Sequence, residues 1–442
     1  MYEIDWQGVK EEAVEVLRRY IQIDTTNPPG NEEEAALFLR SLLEKEGIKT
    51  QIYTSAPRRG NLLASLEGGS DPPFLLLSHM DVVPVERERW SVDPLAGEVK
   101  EGYIYGRGAI DMKGQGVAEL MAFLLVHRHR IPLRRPLLLL AAADEEAGGR
   151  WGVDWMLENE PQLKRVGFVL NEGGTIRVRD DGRVHHYEIS TAQKVVAQFR
   201  LRSKGRTGHG SMPHRENAND RLVRALKKLI DWEAPVEVIP LVKEYFRNLA
   251  PLNPSESAHY EDIEKGLRDD RFREHFTSNP QYNAMVRNTH TLTMLRSGTK
   301  VNVIPSEAEA TFDCRLLPGT KREEFFRRLK EVMGDEEIEF IPLEDFEGKD
   351  PLPSPTDGEL YRAILRVAQR KDPGVIVTPF LITGATDSRF FRELGIPCYD
   401  FTPFRLTQEE LRLIHGHDER ISSENLLFAI QFLFEVILEV AT

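Results

Sequence analysis

Cysteine is almost absent from this chain of 442 residues: Cys314 and Cys398 are the only two. That scarcity excludes a disulfide framework and a cysteine-based metal cluster, so any metal must sit on His, Asp and Glu. Positive charge is also in deficit, with 58 Lys and Arg against 71 Asp and Glu and a formal net charge of −13. Nucleic acid or an anionic membrane would need clustered positive charge, so neither is expected as a partner. Long apolar runs are missing too; the longest, residues 137–143, is far too short to span a bilayer. The opening MYEIDWQGVKEEAVEVL lacks the basic and then apolar pattern of a signal peptide, which makes a cytoplasmic location the expectation.

What is present describes an ordinary folded protein, 40% apolar and 29% charged, long enough for two domains. Helical spacing runs over 8–23 and 31–47, broken by the Thr-Thr-Asn-Pro-Pro-Gly of 25–30. Short apolar runs at 74–77, 137–142 and 166–170 then alternate with helical stretches. Runs of that kind predict strands buried on both faces in a helix-covered, mainly parallel α/β sheet. After about residue 190 the pattern changes: a strand at 195–201, a helix at 218–232, strands at 289–294 and 308–315, a helix at 321–332 and a strand at 338–341. These predict a compact α+β unit, a four-stranded sheet with helices on one face, carrying a helical insertion at 235–285. Gly348-Lys-Asp-Pro-Leu-Pro-Ser-Pro reads as the linker back. The expectation is therefore a catalytic domain of 1–190 and 350–442 with a second domain, 191–349, inserted into it.

Acidic and histidine clusters sit just after predicted strands or in turns, where open α/β sheets gather ligands. The first is His79-Met-Asp81, leaving a buried strand, with Asp81 suited to fix the tautomer of a histidine ligand. Next comes Gly106-Arg-Gly-Ala-Ile-Asp111-Met-Lys-Gly, a carboxylate among glycines, which alone also fits a helix cap. The run Asp144-Glu145-Glu146 directly follows an apolar strand; three adjacent carboxylates need cations or water to compensate them, and a solvated turn is the alternative. Asn171-Glu172-Gly-Gly and His415-Gly-His417-Asp-Glu-Arg complete the set. One carboxylate in such a group can bind metal while its neighbour holds the attacking water, as amide hydrolysis requires.

In this order the five motifs resemble the two-zinc family that includes aminoacylase, succinyl-diaminopimelate desuccinylase, acetylornithine deacetylase, bacterial glutamate carboxypeptidase and carboxypeptidase S, over nearly the whole chain. The resemblance implies that His79 and Glu172 hold one zinc, that Glu146 and His417 hold the other, and that Asp111 bridges them, with cobalt or manganese as substitutes. His415 is the rival of His417, and the family pattern His-Gly-x-Asp-Glu-Arg favours His417. It further implies Glu145 as general base, with Asp81 in support. The inserted domain becomes a lid and dimerisation domain, and the protein a homodimer.

Within that domain, Gly208-His209-Gly resembles the family histidine that contacts the transition state, where an oxyanion donor is worth about 3 kcal/mol. Asn302 and Arg315 match positions that bind substrate in relatives, and an arginine fork suits a carboxylate. The loop Thr383-Gly384-Ala385-Thr386-Asp387 resembles the substrate-side Gly-Gly-Thr-Asp stretch, with Ala385 in place of the second glycine. The 235–285 insertion is similar to the carboxypeptidase S and N-acyl amino acid hydrolase branch. The expected activity is hydrolysis of an amide or peptide bond beside a free carboxylate, in an N-acyl amino acid or short peptide. A di- or tripeptidase recognising a free amine is the alternative enzyme, and a metal-binding scaffold without catalysis the alternative of another class.

Overall fold

The computed structural model describes residues 2–343 and 351–442. Two compact units divide the chain: Met1–Thr191, Pro353–Phe380 and Thr386–Thr442 form the first, Ala192–Leu352 and Leu381–Ala385 the second. The expected return at residue 350, and residues 348–350 of the expected linker, lie outside the described residues. The short excursion Leu381–Ala385, at the end of the strand Ile376–Ile382, has no counterpart in the sequence reading.

The first unit is built on an eight-stranded sheet in the order Thr50–Ala56, Arg59–Leu66, Leu137–Ala142, Phe74–His79, Phe168–Val178, Cys398–Leu406, Val184–Gln193, Ile376–Ile382. Its centre is parallel: Phe74–His79 pairs in parallel with both neighbours, and Cys398–Leu406 with Phe168–Val178. The apolar runs are explained by what covers them. Leu76 and Leu139 face a core shared with the helices Trp6–Ile21, Lys113–Arg128 and Ser423–Ala441. Leu75, Leu77, Leu138 and Leu140 face a second core with Met156, Leu157 and Phe391. Successive strand residues point to opposite faces, so a strand with a core on each side must be apolar at every position. The helix Lys113–Arg128 is buried almost throughout for the same reason, since sheet and helices leave it no solvent stripe.

In the second unit the strands run Thr289–Ser297, Glu307–Leu316, Phe199–Lys204, Ile338–Pro342, all antiparallel. Val195–Val196 adds a short fifth piece, pairing with Glu307–Leu316 in the register that Phe199–Lys204 continues, so the expected strand of 195–201 is interrupted at Ala197 and Gln198 without changing partner. Glu307–Leu316 buries every second residue, and Ala308, Ala310, Phe312 and Cys314 pack on Leu222, Leu226, Phe325 and Leu329 of the helices Ala218–Asp231 and Arg322–Met333. The insertion is helical, with Phe246, Tyr260, Phe272, Phe276 and Tyr282 packed mostly edge to face in one aromatic nest. Among the described residues no helix is long and apolar enough to cross a membrane.

Candidate metal centre

Three neighbouring parallel strands supply most of the centre, two just at or after their carboxyl ends and the third at an interruption within it. Phe74–His79 ends on His79, the turn after Leu137–Ala142 carries Asp144 to Glu146, and Phe168–Val178 carries Glu172. Glu172 leaves the sheet at a bulge: Asn171 pairs with Asp400 and Gly174 with Phe401, so Glu172 and Gly173 are the extra residues of their strand. Bulges re-aim side chains in this way, and Gly173 accommodates the required φ of +151°. Asp111 arrives on the loop that opens the helix Lys113–Arg128, and His415 on the loop after the helix Gln408–Leu411.

The two oxygens of Asp111 face different histidines: Oδ1 is 3.2 Å from His79 Nε2, and Oδ2 is 2.9 Å from His415 Nε2. His79 Nε2 also lies 3.4 Å from Glu172 Oε1, and His415 Nε2 3.3 Å from Glu146 Oε1. Two half-sites therefore share Asp111. The expected ligand His417 is not in them; its Nε2 faces Glu86 Oε2 at 3.9 Å, and His415 takes the place. This corrects the expectation drawn from the family pattern. The two histidines stand two residues apart on an irregular loop, and a left-handed backbone at His415, φ +59°, turns its ring toward Asp111.

Glu145 and Glu146 lie beside different groups of the centre. A Glu145 oxygen lies within 4.8 Å of the ligand atoms of His79 and Glu172, and a Glu146 oxygen within 4.8 Å of those of His79 and Asp111. Asp81 holds their turn: its Oδ1 accepts from the Glu145 amide at 3.1 Å and its Oδ2 from the Glu146 amide at 3.1 Å. His79 Nδ1 lies nearer to the Asp81 carbonyl, 3.0 Å, than to its carboxylate, 3.5 Å, so the backbone fixes the ring as closely as the side chain does.

The charges explain one another. Burial and the neighbouring Glu172 push the Glu145 carboxyl well above its ordinary range. Burial and Asp111 push Glu172 up to about 8. Burial would raise Asp111 as well, but hydrogen bonds from His415 and His79 hold it well below the usual carboxylate range. Hydrogen bonds to Asp111 and Glu146 raise His415 to about 10. Such a knot of half-buried carboxylates around two imidazoles invites divalent cations. The donor atoms fit them: the 3.2 to 3.4 Å separations around His79 match the edge of a tetrahedron with centre-to-ligand distances of about 2.0 Å. Glu146 Oε1 is buried without a well-formed hydrogen bond, as a ligand atom would be.

The sequence pattern of peptidase family M20/M25/M40 matches residues 75–439. The chain belongs to this family. It is 32% identical to human N-fatty-acyl-amino acid synthase/hydrolase over 388 residues, 84% of this chain and 75% of that one. It is 30% identical to human aminoacylase-1 over 432 residues, 94% of this chain and 92% of that one. Its fold is similar to that of the M20 metallo-carboxypeptidase of Sulfolobus solfataricus, with a TM-score of 0.73 at 20% identity, covering 97% and 99% of the two chains. The chain is accordingly an M20 metallohydrolase of amide or peptide bonds.

Sequence reasoning missed the residues beneath this M20 centre. Asn27, from the Thr-Thr-Asn-Pro-Pro loop, donates to Asp81 Oδ2 at 2.8 Å and to Asp144 Oδ1 at 3.2 Å. Arg59 donates to Asn27 Oδ1 at 2.9 Å and pairs with Asp144 at 3.2 Å and with Glu32. These contacts hold Asp144 in a left-handed conformation, φ +70°, that a non-glycine residue adopts only at a cost of about 1–2 kcal/mol. Asp387, which the sequence offered only as the end of the substrate-side stretch, is a further buried carboxyl, raised to about 7 by burial against the partial relief of Arg389. Its Oδ1 would lie 2.6 Å from a Cβ at Gly149, so the turn after Glu146 needs glycine there. Glycine spacing was the available signal for Gly149; a buried pairing of residues 27 or more apart leaves none.

In the second unit, His209 pairs with Val303 in a two-stranded ribbon, exposed, with Ser211 Oγ 2.7 Å from its Nδ1. Asn302 sits on the facing turn, its carbonyl accepting from the Gly210 amide at 2.8 Å. Arg315 Nε is engaged by Asp313 at 3.1 Å. Gly384 has ordinary space, its nearest neighbour to a Cβ being 3.7 Å away. Thr386, in the first unit, is buried, with its Oγ1 3.4 Å from the Ser388 amide.

Proposed function

We propose that this chain hydrolyses N-acyl amino acids, or short peptides with a free carboxyl terminus, at the amide next to the carboxylate, with Glu145 as general base. The observation that carries this is the pair of half-sites sharing Asp111, with the half-buried Glu145 carboxyl beside one of them. The activities for which the two relatives are named, an N-fatty-acyl-amino acid synthase/hydrolase and an aminoacylase, support the substrate class.

His79, Glu172 and Asp111 would hold one cation, and Asp111, Glu146 and His415 the other, with zinc the first choice for this donor set and cobalt or manganese as substitutes. When bound, the cations supply Lewis acidity and bring water within reach of deprotonation at neutral pH. Glu145 then accepts the water's proton at its carboxylate and delivers it to the nitrogen of the departing amine. A carboxyl raised by burial suits that delivery, because as an acid it is strong enough to protonate an amine and as a base it recovers the proton readily near neutrality. Asp81 keeps Glu145 and Glu146 apart through their backbone amides.

We assign the substrate carboxylate to Arg315, oriented by Asp313, with Asn302, Gly384 and Thr386 as further substrate contacts and His209 as the donor to the oxyanion. N-acyl amino acids should be cleaved at least 10-fold faster, in kcat/KM, than the same compounds with the carboxylate amidated, because a charge-assisted pair is worth about 1.5–3 kcal/mol. Equal rates would remove the carboxylate from the proposal. The homodimer we propose uses the outer edge of Thr289–Ser297, where Met294 and Leu295 are exposed. Light scattering that gave the mass of a single chain at micromolar concentration would overturn it.

A further inference from the structure

Arg107 and Glu419 form an ion pair with 2% and 0% of their surfaces exposed, Nη1 to Oε2 at 2.6 Å. A buried pair is weak support for stability, because desolvation consumes most of the attraction. Its other contacts say more. Glu419 Oε1 accepts from the amides of Ile110 at 2.8 Å and Asp111 at 3.1 Å. Arg107 Nη2 donates to the carbonyls of His415 at 3.2 Å and Gly416 at 3.0 Å. The Glu419 carbonyl accepts from the Gly106 amide at 2.9 Å. The pair thus has one hand on each of two loops about 300 residues apart, and these are the loops that present Asp111 and His415 to each other.

His415 needs such a hold. It lies outside any helix or strand, its side chain is half exposed, and its backbone is left-handed. The guanidinium is planar, so a fork whose one nitrogen is fixed on Glu419 has its other nitrogen fixed in direction as well; a lysine ammonium has no second arm. We propose that Arg107 and Glu419 are positioning residues that set the distance between Asp111 and His415 and thereby the metal affinity of the Asp111–Glu146–His415 half of the centre. This rests on the two-metal reading above.

The test uses the full chain as wild type, Arg107→Lys and Glu419→Gln. Zinc content is measured after dialysis against increasing chelator, and hydrogen exchange is measured on the metal-free proteins. The wild type should hold two equivalents. In each variant one equivalent should be released at roughly 10–100-fold lower chelator strength, the range seen when groups supporting metal ligands are removed. The second equivalent should be little changed. Exchange should rise at residues 108–112 and 413–417 while strand Phe74–His79 stays protected. Two equivalents held as in wild type, with unchanged exchange, would overturn the proposal. So would equal weakening of both with loss of protection across the strand, which would mark a purely structural pair. A wild type that bound no zinc would instead overturn the two-metal reading, and the affinity claim with it, while the exchange data would still decide whether the pair holds the two loops.

Discussion

At the scale of single residues, the sequence named most of the centre because chemistry-bearing side chains followed strand ends directly. His79 closes one strand, Glu145 and Glu146 follow another, and Glu172 interrupts a third. The choice between His415 and His417 was not legible, since both lie on one loop and spacing cannot say which ring a left-handed residue turns inward. Geometry decides for His415. His415→Ala should therefore lose about one equivalent of zinc, and His417→Ala should keep both, as read by metal analysis of the purified variants. The opposite result would restore the family-pattern assignment. Asp81 shows a subtler limit: the sequence identified a supporting carboxylate, but its main partners are the backbone amides of Glu145 and Glu146.

At the scale of elements, the centre depends on where strands are interrupted. The bulge that releases Glu172 is pinned by Thr402, whose Oγ1 accepts from the Gly173 amide at 3.2 Å and donates to Gln115 Oε1 at 2.6 Å. Gln115 Nε2 in turn donates to Glu119 Oε1 at 2.9 Å, inside the helix Lys113–Arg128. Thr402→Val keeps the shape of the side chain and removes both bonds, leaving the Gly173 amide and Gln115 Oε1 unpaired. The cost should be about 1–3 kcal/mol in urea unfolding of the metal-free protein, with weaker zinc binding besides. Unchanged stability and affinity would show that the bulge holds itself. The parallel strands Phe74–His79 and Leu137–Ala142, the start of Phe168–Val178 and the opening helices were legible because burial forces either continuous or periodic apolar sequence. The edge hairpin Thr50–Ala56 and Arg59–Leu66 was not, since its outer strand is only partly buried and carries no clean pattern.

At the scale of the whole molecule, a change in apolar rhythm near residue 190 announced a second unit, because a two-sided parallel sheet and a one-sided antiparallel sheet impose different periods. The return of Leu381–Ala385 to that unit was illegible, since five residues carry no period of their own. The sheet order then brings together the strand ends at residues 79 and 142 and the bulge at 172, and the loop of His415 closes the set. The central claim is that this assembly hydrolyses carboxylate-bearing amides with Glu145 moving the proton. The most direct measurement is the turnover of a panel of N-acyl amino acids by wild type and Glu145→Gln at equal, measured zinc content. Metal-dependent turnover by the wild type, reduced by roughly 10²–10⁴-fold in the variant with both equivalents of zinc retained, is the expected result. Turnover by the variant near the wild-type rate, or a wild type that stays inactive on every compound with both metals bound, would contradict the account.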